Sequence, residues 1–144
     1  MGTLPARPPD TGPARISVVT PPPLPAPRGR ALGQWMETLA CRYLERHGLL
    51  LRTRNHHARY GELDLVMTDR DTCVFVEVRY RQHSQHGSPF DSVTPRKQQR
   101  LILAAQHYLM QHALDMPCRF DIIGLSGTVQ APDITWMRHA FDAC

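Results

Sequence analysis

Apolar side chains repeat along two segments of the chain with the period of an α-helix. In residues 31–47 the stripe consists of Leu32, Trp35, Met36, Leu39, Ala40, Tyr43 and Leu44, and Gly48 follows as a natural helix stop. A second stripe runs from Thr94-Pro95, a hydroxyl cap with proline in the first turn, to about Leu114. The pattern therefore predicts two amphipathic helices.

Five other segments show the short, alternating or continuously apolar patterns of β-strands. They are residues 49–54, 61–66, 76–81, 118–125 and 134–141. Polar residues 55–60 and 82–93 are predicted to be connections. The order of helix, three strands, helix and two strands predicts an α/β or α+β fold, with a mixed central β-sheet and helices packed on it.

The second and third strands carry acidic residues in an otherwise apolar pattern. Residues 68–72 form a short polar turn, so an antiparallel hairpin centred between Arg70 and Asp71 places Asp64 opposite Glu77. Directly opposed side chains have Cβ atoms about 4.5–5.5 Å apart, and like charges there are destabilising. A divalent cation explains such a pair best, because hard cations bind few carboxylates together with water and phosphate.

The same register assigns the other hairpin residues to two faces. It pairs Leu63 with Val78, Leu65 with Val76 and Met67 with Val74 on an apolar face, and Glu62 with Arg79 on the other. The acidic face is expected to hold Glu62, Asp64, Glu77, Arg79 and Arg81. An ordinary solvated sheet face would look the same, but Val66 and Phe75 share this face and favour a half-buried cleft.

Composition separates the start of the chain from the rest. The first 28 residues hold nine of the 13 prolines, so residues 1–29 are expected to form a disordered tail before a single domain at 30–144. We find no signal peptide and no membrane-length apolar stretch, which predicts a cytoplasmic protein with no membrane partner. The four cysteines have no zinc-type spacing and are expected to be reduced.

Charge argues for nucleic acid only through local placement. The chain carries +4, but residues 1–30 contribute +3 of it, so the rest is nearly neutral. Arg96, Lys97 and Arg100 crowd the positive N-terminal end of the second helix. A bound phosphate would relieve this crowding, although a solvated cluster is an equal alternative. Arginines 52, 54 and 59 form a second track, and Lys97 is the only lysine among 17 basic residues.

Other polar residues are expected to be structural or to lie at the surface. His56, His57 and His83 fall in predicted loops near the hairpin, but no spacing marks any of them as a catalytic base. Asp121 lies in an apolar strand. It is either a third carboxylate of the cleft or a structural salt-bridge partner, and we favour the structural role.

Several motifs occur together in a specific order. They are Gly33 through Glu37 to Ala40, Asn55 with Arg59, 61–65, 76–81, 92–94 with Lys97, 118–121, and Ala140-Phe141. In this order they resemble the YraN family of bacterial proteins. That family is related to restriction-endonuclease-like nucleases and is similar to archaeal Holliday-junction resolvases. The resemblance implies a mixed sheet flanked by helices, with Glu, Asp, Glu and Lys around Mg²⁺.

Position by position, the resemblance implies a set of site residues in this chain. The catalytic residues would be Glu37, Asp64, Glu77 and Arg79, and Asp64, Glu77 and the carbonyl of Val78 would bind Mg²⁺ or Mn²⁺. Arg79 stands where these nucleases have lysine, and arginine cannot lose its proton to act as a base. The residues expected to contact nucleic acid are Arg54, Arg59, Arg81, Arg96, Lys97 and Arg100.

Three functional hypotheses remain from the sequence. The first is a Mg²⁺-dependent endonuclease acting on branched or damaged DNA, for which resolvase-like action implies a homodimer. The second is a nucleic-acid-binding protein that has lost cleavage, which the arginine at position 79 favours. The third is a protein-interaction module that docks through the proline-rich tail.

Overall fold

Two helices and five strands follow one another in the predicted order. The computed structural model describes residues 26–82 and 87–142. Its elements are α1 (Gly29–Arg46), β1 (Leu50–Ala58), β2 (Gly61–Asp69), β3 (Thr72–Arg81), α2 (Pro95–Gln111), β4 (Cys118–Ser126) and β5 (Asp133–Phe141). A short 3-10 turn, Pro89–Ser92, precedes α2. The predicted tail lies outside the described residues as far as residue 25.

The strands form one mixed sheet in the order β1-β2-β3-β4-β5. Neighbouring strands are antiparallel except β3 and β4, which are parallel. Parallel neighbours need a crossover connection, and α2 lies in the segment that joins them. This topology confirms the predicted fold class, a mixed central sheet flanked by helices, as in restriction-endonuclease-like proteins.

Each face of the sheet is covered by one helix. Helix α1 contributes Met36, Ala40, Cys41 and Leu44 to a core with Leu65, Met67, Val74 and Val76. Helix α2 contributes Leu101, Ala104, Ala105 and Tyr108 to a second core with Val66, Cys73, Phe75 and Phe120. An ordinary solvated face is therefore ruled out along most of β2 and β3, where Val66 and Phe75, expected beside the acids, are buried under α2. The acidic residues lie beside the N-terminal end of α2, beyond the part of the sheet that this helix covers.

Strand β1 is longer than the sequence predicts. His56, His57 and Ala58, expected in a loop, pair with Leu63, Glu62 and Gly61 of β2. Because β1 is an edge strand, all of its nine residues are exposed or half-buried. Its sequence therefore lacks the apolar alternation that marks a strand.

Both helices end in the same hydrogen-bonding pattern. After α1, the N–H of Leu49 donates to the carbonyl of Leu44, and Gly48 has a φ of +94°. After α2, the N–H of Leu114 donates to the carbonyl of Leu109, which ends the helix before the predicted residue 114. Such left-handed caps satisfy the last helical carbonyls.

The described cysteines are not all reduced. Cys41 and Cys73 are free and buried, but Cys118 is disulfide-bonded, so the expectation of a reduced thiol is wrong there. Cys144 lies outside the described residues.

Neither α1 nor α2, the two helices in residues 26–82 and 87–142, has the length and apolar character that crossing a bilayer requires.

Candidate active site

Strands β2 and β3 separate where their acidic residues begin. The pairs from Asp69–Thr72 to Leu65–Val76 confirm the predicted hairpin register. The ladder ends one residue before Asp64 and Glu77 would pair. Beyond it, the N–H of Val78 donates to Oδ2 of Asp64 at 2.9 Å. A carboxylate thus replaces the main-chain acceptor that the next ladder bond would have used.

The separation changes the partners of the residues beyond it. Leu63 packs in the core under α2, whereas Val78 packs against the core under α1, so their predicted pairing is wrong. The predicted pair of Glu62 and Arg79 is also wrong. Glu62 lies 3.4 Å from Nε2 of His57 on β1, and Arg79 contacts Glu77 instead.

Glu77 is a buried acid with two cations on one oxygen. Its side chain is 5% exposed, and Oε2 lies 3.0 Å from Nη2 of Arg79 and 3.5 Å from Nζ of Lys97. Oε1 is buried without a hydrogen-bond partner, as is Nε of Arg79. Burial, followed by repulsion from Asp64, raises the pKa of Glu77 to about 8.

Asp64 lies within hydrogen-bonding reach of Glu77. Burial raises the pKa of Asp64, and the N–H of Val78 and the carboxyl of Glu77 partly oppose this rise. Two buried carboxylates at this separation cannot both ionise without a shared proton or cation. The structure therefore brings together the two acids that the sequence analysis paired.

Glu37 reaches the same region from α1. Its Oε1 accepts a hydrogen bond from Nδ2 of Asn55 at 2.7 Å and lies 3.8 Å from Nη2 of Arg54. Burial, then the nearby charge of Asp64, raises the pKa of Glu37. Asn55 has a left-handed φ of +53°, which is uncommon inside a strand and costs on the order of 1–3 kcal/mol. This conformation accompanies the contact between Asn55 and the helix acid.

Two adjoining cavities meet at Glu37 and Gly33. One, of about 340 Å³, is lined by Asp64, Glu77 and Lys97 among others. The other, of about 400 Å³, extends toward the β1–β2 hairpin. Together they form a groove between the start of α1 and the separated strands, and we call this the acidic groove.

The donors in the acidic groove fit a hard divalent cation. In the described part of the chain, no group of three or more His, Cys, Asp or Glu side chains is arranged to hold a metal ion. Mg²⁺ typically keeps several waters and uses one or two carboxylates, which Asp64 and Glu77 provide. The Val78 carbonyl faces the same gap, because the N–H and C=O of an extended residue point to the same side.

The basic residues divide into two groups. Arg79 and Lys97 contact Glu77, and Arg54 lies beside Glu37 while donating to the carbonyl of Gln34 at 3.2 Å. The other predicted nucleic-acid contacts lie on the surrounding surface. Arg59, Arg96 and Arg100 are exposed, and Arg81 is half-buried at the end of β3.

The residues expected to be structural include Asp121, which has that role. It is buried and accepts hydrogen bonds from Arg119, from Nε1 of Trp136 at 2.9 Å and from the N–H of His139 at 3.0 Å. His56 packs edge-on against Tyr108. His83 lies outside the described residues.

The sequence analysis missed two roles. It named Asn55 only within a motif, and it placed Lys97 in a peripheral phosphate cluster rather than beside Glu77. Two signals in the sequence could have indicated these roles. An asparagine tolerates positive φ better than most residues, so Asn55 could have marked an unusual backbone position in this polar segment. Lys97 is the single lysine in a chain that otherwise uses arginine.

Comparisons with known proteins agree on one family. Residues 36–125 match the family described as "Uncharacterised protein family UPF0102". A "UPF0102 protein" of Nitrosococcus oceani is 51% identical over 114 residues, covering 78% of this chain and 92% of the relative. One from Chromohalobacter salexigens is 50% identical over 114 residues, covering 79% and 93%. A third, from Coxiella burnetii, is 46% identical over 108 residues, covering 74% and 88%.

Proposed function

The chain belongs to the UPF0102 (YraN) family, and from its acidic groove we propose that it is a Mg²⁺-dependent endonuclease acting on DNA. Its expected compartment is the cytoplasm. The preference for branched or damaged DNA rests on the resemblance to junction resolvases. The metal and the phosphodiester substrate rest on the side chains of the groove.

One observation supports this proposal above the others. Among the described residues, three buried side-chain atoms have no hydrogen-bond partner, and two of them belong to Glu77 and Arg79, which contact each other in this site. When both acids are ionised, Oε1 of Glu77 lacks a donor or cation, and Nε of Arg79 lacks an acceptor. A divalent cation beside a phosphate oxygen would satisfy both atoms, since buried polar groups are normally paired.

The groove residues have distinct roles in this proposal. Asp64, Glu77 and the carbonyl of Val78 would hold Mg²⁺. When bound, the ion would neutralise phosphate charge and make a nucleophile from water at neutral pH. Arg79 fixes Oε2 of Glu77 through its Nη2 and presents Nε to a phosphate oxygen. Glu37, held by Asn55, accepts a proton from water at the rim.

A second candidate function is nucleic-acid binding without cleavage. The observation that favours it is Arg79 at the position where related nucleases have lysine. A guanidinium holds a phosphate well but cannot act as a base. The third hypothesis, docking through the tail, falls on residues outside the described structure.

Cleavage and binding assays with matched variants test the proposal. The substrates are a four-way junction, a nicked duplex and single-stranded DNA, with Mg²⁺, Mn²⁺ or EDTA. We expect the wild type to cleave at least one substrate and Asp64→Asn to lose more than about a hundredfold in rate, the scale of removing one active-site electrostatic group. Glu45→Gln, at an exposed acid of α1, is the control and should cleave normally.

The outcomes separate the candidates. Binding in EDTA without cleavage by any metal would support the second candidate and contradict the first. Absence of binding to all three substrates would contradict both. Asp64→Asn should remain folded, because it removes a repulsion with Glu77 and an amide oxygen can still accept from the N–H of Val78.

A further inference from the structure

Lys97 of helix α2 reaches the acidic site, in which strand β3 contributes an arginine, Arg79, and no lysine. Nζ of Lys97 lies 3.5 Å from Oε2 of Glu77, the same oxygen that Arg79 contacts from β3 at 3.0 Å. Lys97 is the third residue of α2 and stands twenty residues after Glu77 in the sequence. Two cations therefore converge on one carboxylate from two different elements.

The first turn of α2 is anchored, which fixes the direction of Lys97. The hydroxyl of Thr94 caps the helix by accepting from the N–H of Lys97 at 3.2 Å, and Pro95 begins the helix. The side chain of Gln98 donates to the carbonyl of Val93 at 3.1 Å, and Val93 is buried. The position of Lys97 beside the acids is thus set by the fold and not only by its own flexible side chain.

The two cationic side chains differ in their exposure and in the hydrogen-bond donors that their contact with Glu77 leaves free. The Arg79 contact is shorter, and that side chain is 27% exposed against 36% for Lys97. An ammonium group has three donors, and a single contact to Glu77 leaves others for a ligand in the cavity that Lys97 lines. Arg79 is therefore held mainly by Glu77, with its buried Nε as the one unpaired donor, whereas the more exposed ammonium group of Lys97 has two further donors for a substrate.

We propose that Lys97 is the lysine of this active site and contacts the reacting phosphate directly, from the helix rather than from the strand. The inference deepens the proposed function and rests on it. It assigns the remaining donors of the Lys97 ammonium group, in the cavity that this residue lines, to an oxygen of a phosphodiester. The arginine at position 79 then no longer argues against cleavage, because the lysine of the site comes from another element.

Salt-dependent binding without metal provides the first test, with a readout independent of activity. Each phosphate contact contributes about 0.7–0.9 to the slope of log K against log salt. With junction DNA in EDTA, Lys97→Met should reduce this slope by about that amount, and Lys97→Arg should retain it. The control Arg46→Met removes the same charge from an exposed position about 20 Å along α1 from Gly33, at 1.5 Å per residue.

Equal slopes for Lys97→Met and Arg46→Met would overturn the inference. If Lys97 merely neutralised Glu77, its removal would alter thermal stability and leave the slope unchanged. Lys97→Arg keeps the charge, so it guards against a misleading result from a poorly folded methionine variant.

Cleavage rates provide the second test. Lys97→Met should slow single-turnover cleavage by about a hundredfold or more, whereas Arg46→Met should cleave like the wild type. Arg79→Lys should gain no activity, because the site already has its lysine. A tenfold or greater gain in the cleavage rate of Arg79→Lys would instead show that the site lacked a lysine on the strand, and would overturn the inference.

Failure of the inference and failure of the proposed function give different results. If the wild type cleaves and Lys97→Met cleaves equally well, only the inference about Lys97 fails. If the wild type cleaves nothing with any metal, the proposed function fails. In that case the slope comparison still decides whether Lys97 contacts phosphate.

Discussion

At the scale of single residues, the site is organised around the burial of Glu77. A carboxylate at this depth is costly unless it is paired, and its partners here are Arg79 and Lys97 on one oxygen only. The second acid, Asp64, makes ionisation of Glu77 still less favourable. Both acids therefore respond strongly to anything that brings positive charge between them.

This burial has a consequence for stability at different pH values. The pKa of Glu77 is about 8 in the folded protein and near its ordinary value of 4.5 when unfolded. The folded state holds the proton more tightly, so this contribution to stability is complete below about pH 4.5 and is lost as the pH rises through 8. We expect metal-free wild type to lose stability over this range, and Glu77→Gln to lose less.

Denaturant unfolding in EDTA at a series of pH values measures the effect. The comparison is the difference between wild type and Glu77→Gln, in which titration of histidines elsewhere in the chain cancels. Parallel curves for the two proteins between pH 5 and 9 would show that Glu77 does not carry a raised pKa.

At the scale of elements, the site forms where the β2–β3 ladder, the start of α2 and the first turns of α1 meet and leave a gap. The β2–β3 ladder ends after Leu65–Val76, α2 begins at Pro95, and the first turns of α1 lie beside the gap. Gly33 lies on this part of α1, lines both cavities and has open space where a Cβ would project. A glycine here lowers helix stability but lets a polymer backbone approach closely.

Replacing this glycine should separate stability from binding. Gly33→Ala is expected to raise the free energy of unfolding by roughly 0.5–1 kcal/mol, because alanine is the better helix former. It should also weaken binding of junction DNA if the strand lies along α1. Gly33→Ser is the matched control, since it adds similar bulk with less helix propensity and should impair binding as much while stabilising less.

Denaturant unfolding and fluorescence anisotropy of labelled DNA measure the two quantities. A Gly33→Ala protein that is more stable and binds as tightly as wild type would show that the DNA does not pass over this turn of α1.

The sequence predicted the elements that local periodicity determines. The hairpin register followed from a short turn and alternating apolar residues, and the helix stripes followed from their spacing. The separation of β2 from β3 was not predictable in this way, because it depends on Asp64 accepting from the N–H of Val78. The place of Lys97 depends on how α2 crosses the sheet, which no local pattern records.

At the scale of the whole molecule, the positions of the charged residues matter more than the net charge. Most of the net charge of +4 belongs to the first 30 residues, and the remainder is nearly neutral. Under the proposed function, recognition of DNA by the folded part depends on few, well-placed cations around the acidic groove. Such a protein should show a modest salt slope, in contrast to proteins that make six to ten phosphate contacts.

The proposed function requires Asp64 and Glu77 to share a divalent cation, and crystals of the protein soaked in Mn²⁺ show whether they do. We expect an anomalous peak within bonding distance of both carboxylates and of the Val78 carbonyl in wild type. The peak should be absent from Asp64→Asn crystals soaked in the same way. A wild-type crystal soaked in Mn²⁺ with no peak between the two acids would rule out this metal site.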